Sequence, residues 1–264
     1  MITQLKAVAV TMLLLLYSLV SLCILAMPLG PMRARTALAK NTSFFSRRVL
    51  RVLGVRVTGK RIRWKGLRPR RNSYLVLSNH VSYIDILVLS SRMPSVFVTS
   101  IELRNSFPLG LFARFGGSIF VERRSPAGLR AEIGAVAGVL DQGLSVVLFP
   151  EGTTSDGETV RPFKSSLLTA AIDTGSEVLP VCLRYSRING RPLDRENRDQ
   201  VFYHGGTTFF EHAPRLLALR SVNVELFMHR PIPSHRHRSR KDLAARAHEL
   251  ISAAYHGKHP AFRP

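Results

Sequence analysis

YLVLSNHVSYIDILVLSS, residues 74–91, changes its periodicity part-way along. YLVLS, at 74–78, has the length and apolar content of a buried strand. Ser82 then stands three residues before Asp85 and IDILVLSS follows, as at a helix start with an S-x-x-D cap. The stretch predicts strand, turn and helix. It also holds the first acidic side chain of the chain, Asp85, five residues after His80. On an unbroken helix two residues so spaced point about 140° apart. A turn at the carboxyl end of a strand removes that separation and lets the imidazole fold back over the carboxylate, at the edge where open α/β sheets place their sites. Two readings stay open on spacing alone. His80 is a general base whose tautomer Asp85 fixes, or Asp85 caps the helix and His80 is an ordinary turn residue.

The same alternation continues. VFVTS (96–100), GSIFV (117–121), SVVLF (145–149), EVLPVCLRY around Pro180 and VNVELFM (222–228) read as strands. Helices are expected over Ala127–Asp141, Lys164–Asp173, Thr207–Arg220 and Asp242–Tyr255, the last capped by Ser239. FPLGLFARF (107–115) suits a short helix or a lipid-facing loop, and 186–206 an irregular excursion. Strands alternating with helices imply an α/β fold, a mainly parallel sheet flanked by helices.

Val8 to Met27 carries no charge, and a helix of that length spans roughly 30 Å, the hydrocarbon thickness of a bilayer. A membrane anchor is the reading, with a cleaved signal peptide its rival. Arg33, Arg35, Lys40, Arg47, Arg48 and Arg51 follow it. The excess of positive charge on that side predicts a single-pass anchor in the inner (plasma) membrane, with the catalytic domain on the cytoplasmic face. FFSRRVLRVLGVRV (44–57), read as a helix, gathers Phe45, Val49, Val52 and Leu53 on one side. It either lies in a membrane interface or packs on the domain. The expected division is an anchor over 1–29, a basic amphipathic segment over 30–71 and a catalytic domain over 72–264. The formal net charge of +21 calls for an anionic partner. The chain shows no zinc-finger spacing, aromatic RNA-binding signature or helix-turn-helix, so an anionic membrane surface is expected and nucleic acid is not. Cys23 and Cys182 suggest neither a disulfide framework nor a metal site, and His235 and His237 fall in a basic loop without further ligands nearby.

No G-x-S-x-G elbow supplies a protein nucleophile. A base without one suggests that a substrate hydroxyl attacks. Here several motifs converge. NHVSYID carries the H-x4-D pattern of the glycerolipid acyltransferases, in particular the 1-acylglycerol-3-phosphate acyltransferase family. GSIFVER (117–123) resembles that family's second motif, FPEGTT (149–154) its third and VLPV (178–181) its fourth. The resemblance covers roughly residues 55–230, with the motifs in order. It implies acyl transfer from acyl-CoA or acyl carrier protein to the free hydroxyl of 1-acylglycerol-3-phosphate, giving phosphatidate in phospholipid biosynthesis. The acyl donor is a substrate, and no cofactor or metal is implied. By the same resemblance His80 takes the hydroxyl proton, Asp85 orients it, and Arg123, Glu151, Gly152, Thr153 and Lys164 bind substrate. Backbone N–H groups near Gly152 are candidate donors to the developing oxyanion. One position departs: many members read FPEGTRS where this chain has Thr154. Arg161 or Lys164 then replaces the missing cation, or the acceptor is another lysolipid such as lyso-ornithine lipid. A membrane-anchored lipid or nucleic-acid binder without catalysis is the remote alternative.

Overall fold

The central strands of the sheet carry apolar runs that are buried on both faces. The computed structural model describes residues 2–61, 73–122, 128–236 and 239–257. In chain order it contains α1 (Ile2–Ala26), α2 (Pro31–Leu53), β1 (Val55–Arg61), β2 (Tyr74–Ser78), α3 (Ile84–Arg92), β3 (Val96–Ser100), α4 (Ile101–Arg104), α5 (Leu109–Phe115) and β4 (Ile119–Val121). There follow α6 (Leu129–Asp141), β5 (Val146–Leu148), α7 (Thr169–Thr174), β6 (Glu177–Ile188), β7 (Arg191–Pro192), α8 (Phe209–Ala218), β8 (Val222–Met228) and α9 (Arg240–Tyr255). The sheet order is β1-β8-β6-β2-β5-β3-β4, with β7 paired to β6. All neighbours along that path are parallel except β6 and β8. The expected α/β fold with a mainly parallel sheet is what forms.

Alternate residues of the central strands face opposite layers. Leu75 and Leu77 of β2 and Val146 and Leu148 of β5 join a core with Val136 and Leu140 of α6 and Ile251 of α9. Val76 and Val147 join the other, with Val49 and Leu53 of α2, Val88 of α3 and Leu216 of α8. β2 lies between β5 and β6, so the loops leaving the carboxyl ends of these three strands meet.

Several elements differ from their expected form. The helix expected to run on to residue 57 stops at Leu53, because Gly54 takes a left-handed conformation (φ 76°) and turns the chain. Val55–Arg61 then pairs with β8. Phe45, Val49 and Leu53 are buried, so the apolar stripe of α2 packs on the domain. The helix expected from Lys164 begins as a 3-10 turn at Ser166–Leu168 and becomes α7 only at Thr169. β6 runs on to Ile188, into the segment expected to be irregular, and closes a hairpin with β7.

α1 is long and apolar enough to cross a membrane, and little of its surface is buried. Its inner face is latched to the domain by polar groups. Lys6 Nζ donates to the Leu219 carbonyl at 2.6 Å. Tyr17 Oη donates to the Phe112 carbonyl at 3.2 Å, and Asn41 Nδ2 of α2 donates to Ser21 Oγ at 2.9 Å.

Candidate active site

The turn after β2 is held open by a side chain. The β2–β6 ladder ends with Ser78 opposite Val181. Beyond it, Asn79 takes the place of a backbone rung: its Oδ1 accepts from Leu183 N–H at 2.8 Å and its Nδ2 donates to the Leu183 carbonyl at 2.9 Å. The main chain is thereby released from the sheet at His80.

His80 is bracketed from both sides. Its N–H donates to Glu151 Oε1 at 2.8 Å, and its carbonyl accepts from Ser155 N–H at 3.0 Å. Its ring lies flat on Phe149, with centroids 3.8 Å apart and planes 11° from parallel. Nδ1 is 2.9 Å from Asp85 Oδ2. A carboxylate only accepts, so Nδ1 carries the proton and Nε2 presents a lone pair. The His80 side chain keeps 15% of its surface exposed while that of Asp85 has none.

Asp85 is saturated. Oδ2 also accepts from the N–H groups of Val81 (2.8 Å) and Ser82 (2.9 Å), and Oδ1 from Tyr185 Oη (2.7 Å). The bond to Ser82 N–H is half of the expected S-x-x-D pairing, but the helix N-cap falls one residue later, at Tyr83, with no side-chain cap bond; the carboxylate braces the turn and holds the histidine ring. Burial, and then the Asp85 charge, push the Tyr185 phenol well above its usual range, which keeps it a proton donor to the carboxylate.

The loop after β5 supplies the other wall. Glu151 is buried. Its second oxygen accepts from Arg161 N–H at 3.0 Å, so both oxygens hold backbone amides and the side chain orders the loop. Burial raises its pKa, against the pull of those two hydrogen bonds. Gly152 has φ +83°, a left-handed conformation natural to glycine. A Cβ there would stand 3.0 Å from Lys164 Nζ. Lys164 therefore crosses the space that a side chain at 152 would fill, and brings its ammonium to the loop. Its own N–H donates to the Pro150 carbonyl at 2.9 Å. Gly152 N–H donates to the Phe149 carbonyl at 3.1 Å to close the turn, which engages this amide, a candidate oxyanion donor, within the protein. Thr153 is exposed. Arg123 lies outside the described residues.

The structure thus brings together His80, Asp85, Glu151, Gly152 and Lys164. A solvent-accessible imidazole backed by a buried, fully bonded carboxylate can take a proton from a substrate hydroxyl. An acyltransferase family model matches residues 55–184. The lyso-ornithine lipid O-acyltransferase of Brucella abortus is 33% identical over 227 residues, which are 82% of this chain and 83% of that one. The chain belongs to the acyltransferase family. Another lyso-ornithine lipid O-acyltransferase, from Rhizobium meliloti, is 34% identical over 70% of this chain and 66% of its own length. The 1-acyl-sn-glycerol-3-phosphate acyltransferase of Neisseria meningitidis is 38% identical over 49% of this chain and 51% of its own. The crystal structure of the 1-acyl-sn-glycerophosphate acyltransferase of Thermotoga maritima has the same fold, with a TM-score of 0.67 at 21% identity over 96% of this chain and 95% of that one.

Three residues that build this acyltransferase's site carry no signal in the H-x4-D spacing. Asn79 directly precedes the motif histidine, and its partner Leu183 is on another strand. Phe149 opens the FPEGTT motif, and its adjacency to His80 follows from β5 lying beside β2. Tyr185 sits on β6, one hundred residues beyond Asp85, and only strand order brings it there.

Proposed function

We propose that this acyltransferase moves a fatty acyl group from a thioester, on coenzyme A or acyl carrier protein, to the free hydroxyl of a lyso-ornithine lipid at the inner membrane. His80 Nε2 removes the hydroxyl proton as the oxygen attacks the thioester carbonyl. The imidazolium is stabilised by Asp85. Collapse of the tetrahedral intermediate breaks the C–S bond, and His80 returns the proton to the thiolate. Ester and free thiol are the products, so the proton balance closes on one residue.

The observation that carries the acceptor class is Thr154 in the loop that faces His80. A guanidinium expected at that position is absent, which lowers the demand for a phosphate monoester. In support, lyso-ornithine lipid O-acyltransferases include the Brucella relative that matches most of both chains. The ammonium of Lys164 beside Gly152 fits the carboxylate of an ornithine head group. It also fits a phosphate, and together with Arg123 at the motif position it favours lysophosphatidate as the second reading, with phosphatidate as product. In either case we infer a catalytic domain on the cytoplasmic face, a reading supported by the basic residues that follow α1.

The purified full chain, assayed with both acceptors and both donor types, tests this. Lyso-ornithine lipid should give kcat/KM higher by about tenfold or more. A higher value for lysophosphatidate selects the second reading. His80→Ala should lower kcat on either acceptor by a factor on the order of 10² to 10⁴, and unchanged turnover would remove His80 from the chemistry.

A further inference from the structure

Two of the exposed aromatic residues stand together. Phe107, before α5, and Phe210, in the first turn of α8, are 70% and 64% exposed. They nevertheless stack on each other, with centroids 6.4 Å apart and planes at 27°. Stacking hides only part of the two rings, and the apolar surface left exposed marks a contact site.

Their surroundings say what covers them. From Phe107 the chain enters α5, where Leu111 is exposed and Phe112 packs against Tyr17 of α1. From Phe210, α8 runs toward the same helix. Leu217, seven residues on and about 20° from the same face, packs into the cluster that receives Val10 and Leu13 of α1. The carbonyl of Leu219 accepts from Lys6. The outward side of α1 is lined by Leu5, Val8, Met12, Leu15 and Leu19, all exposed. The aromatic pair therefore continues the apolar border of a helix long enough to cross a membrane. The exposed charged residues nearest in sequence are Glu211, Arg104, Glu102 and Arg215, with Arg114 beyond them. The Glu211 carboxylate is turned back onto the Thr208 N–H at 2.8 Å.

The same helix reaches the catalytic turn. Next to Phe210, the Phe209 ring lies 5.4 Å from Tyr83. Two residues further, buried His212 places Nδ1 3.0 Å from Tyr83 Oη. Tyr83 stands in the turn between His80 and Asp85.

We propose that Phe107 and Phe210 form a second lipid contact. The two rings enter the interfacial layer of the bilayer beside α1 and set the catalytic turn against the membrane that holds the lysolipid. The inference concerns this surface and does not depend on which acceptor is used.

The test uses the full chain in vesicles of phosphatidylcholine and phosphatidylglycerol. The single tryptophan, Trp64, is replaced by Phe and a reporter is introduced as Phe210→Trp. Its emission should be quenched by lipids brominated on the acyl chains and weakly by aqueous iodide. Strong iodide quenching with none from bromolipid would overturn the proposal whatever the enzyme acylates. In a second arm, Phe107→Ser with Phe210→Ser, checked for an unchanged unfolding temperature, should raise KM for a vesicle-borne acceptor roughly tenfold. It should leave KM for a short-chain, monomerically dissolved acceptor as it was, and Phe→Leu at both positions should restore the vesicle value. An equal loss on both acceptors, an unchanged vesicle KM, or a defect confined to acyl carrier protein as donor would each sink the lipid contact.

Discussion

At the scale of single residues, the histidine proposed as the base is defined less by its motif than by what its partner carboxylate touches. Asp85 receives the His80 ring, two backbone amides and the Tyr185 hydroxyl. Four donors on a fully buried carboxylate leave it one orientation, so the imidazole it carries is fixed as well. Tyr185 touches Asp85 alone of the pair, and the role expected of it is to position that carboxylate. Tyr185→Phe keeps the ring in its pocket and removes one hydrogen bond to a charged group, an interaction worth about 1.5–3 kcal/mol. Steady-state kinetics should show kcat down by about tenfold with acceptor KM little changed. A rise in KM at constant kcat would mean that the hydroxyl serves binding and not the orientation of Asp85. The His80–Asp85 pair was legible because strand, turn and helix are local features of one stretch. Tyr185 and the Asn79–Leu183 clasp were not, because their partners are adjacent only once β6 has taken its place beside β2.

At the scale of elements, α8 joins the rim of the molecule to the turn that carries His80 through a histidine that no motif marks. Its start is well specified: Thr208 and Glu211 form a reciprocal capping box. His212 is buried, and burial lowers its pKa to about 4. In the unfolded chain it takes a proton as pH falls below about 6.5, while in the folded chain it stays neutral until about 4. The unfolded state therefore binds more protons across that window, and stability falls as pH falls through it. The steepest contribution is about 1.4 kcal/mol per pH unit. Denaturant unfolding between pH 7 and 4 should give a shallower pH slope for His212→Gln than for the parent chain; equal slopes would show that His212 is not the group that titrates. The boundary of α2 teaches a related lesson. RVLGVRV (51–57) has apolar spacing that suits a helix or a strand. The choice falls to Gly54, whose left-handed conformation ends the helix, and to β8, which offers Val222–Met228 as the parallel partner. The glycine is a local stop signal inside that window; the partner strand, more than 160 residues on, is not visible in it.

At the scale of the whole molecule, alternating apolar runs and helical stretches sufficed for a mainly parallel sheet. The antiparallel β6–β8 pairing and the long β6 hairpin depended on contacts that no single run encodes. The same contrast separates what α1 is from what it does. Its composition suits a bilayer, yet Lys6, Tyr17 and Ser21 tie it to Leu219, Phe112 and Asn41 of the domain. Tyr17 also packs on Phe45 and Phe115. A helix docked this way has two faces with separable roles, and two variants should separate them. Deleting residues 1–29 removes the inner face together with the outer. Each large apolar side chain taken from a buried site costs about 1.5–3 kcal/mol, so the truncated chain should unfold at lower temperature and self-associate through the uncovered stripe of α2 and α5. Replacing Met12, Leu15 and Leu19 with Gln alters residues that are already exposed. That variant should keep its unfolding temperature in mild detergent while floating less with vesicles in a sucrose gradient. If it floats as the parent does, the outer face of α1 is not what holds the enzyme to lipid. If the truncated chain proves as stable as the full one, α1 is an appendage and its polar latches contribute nothing to the fold.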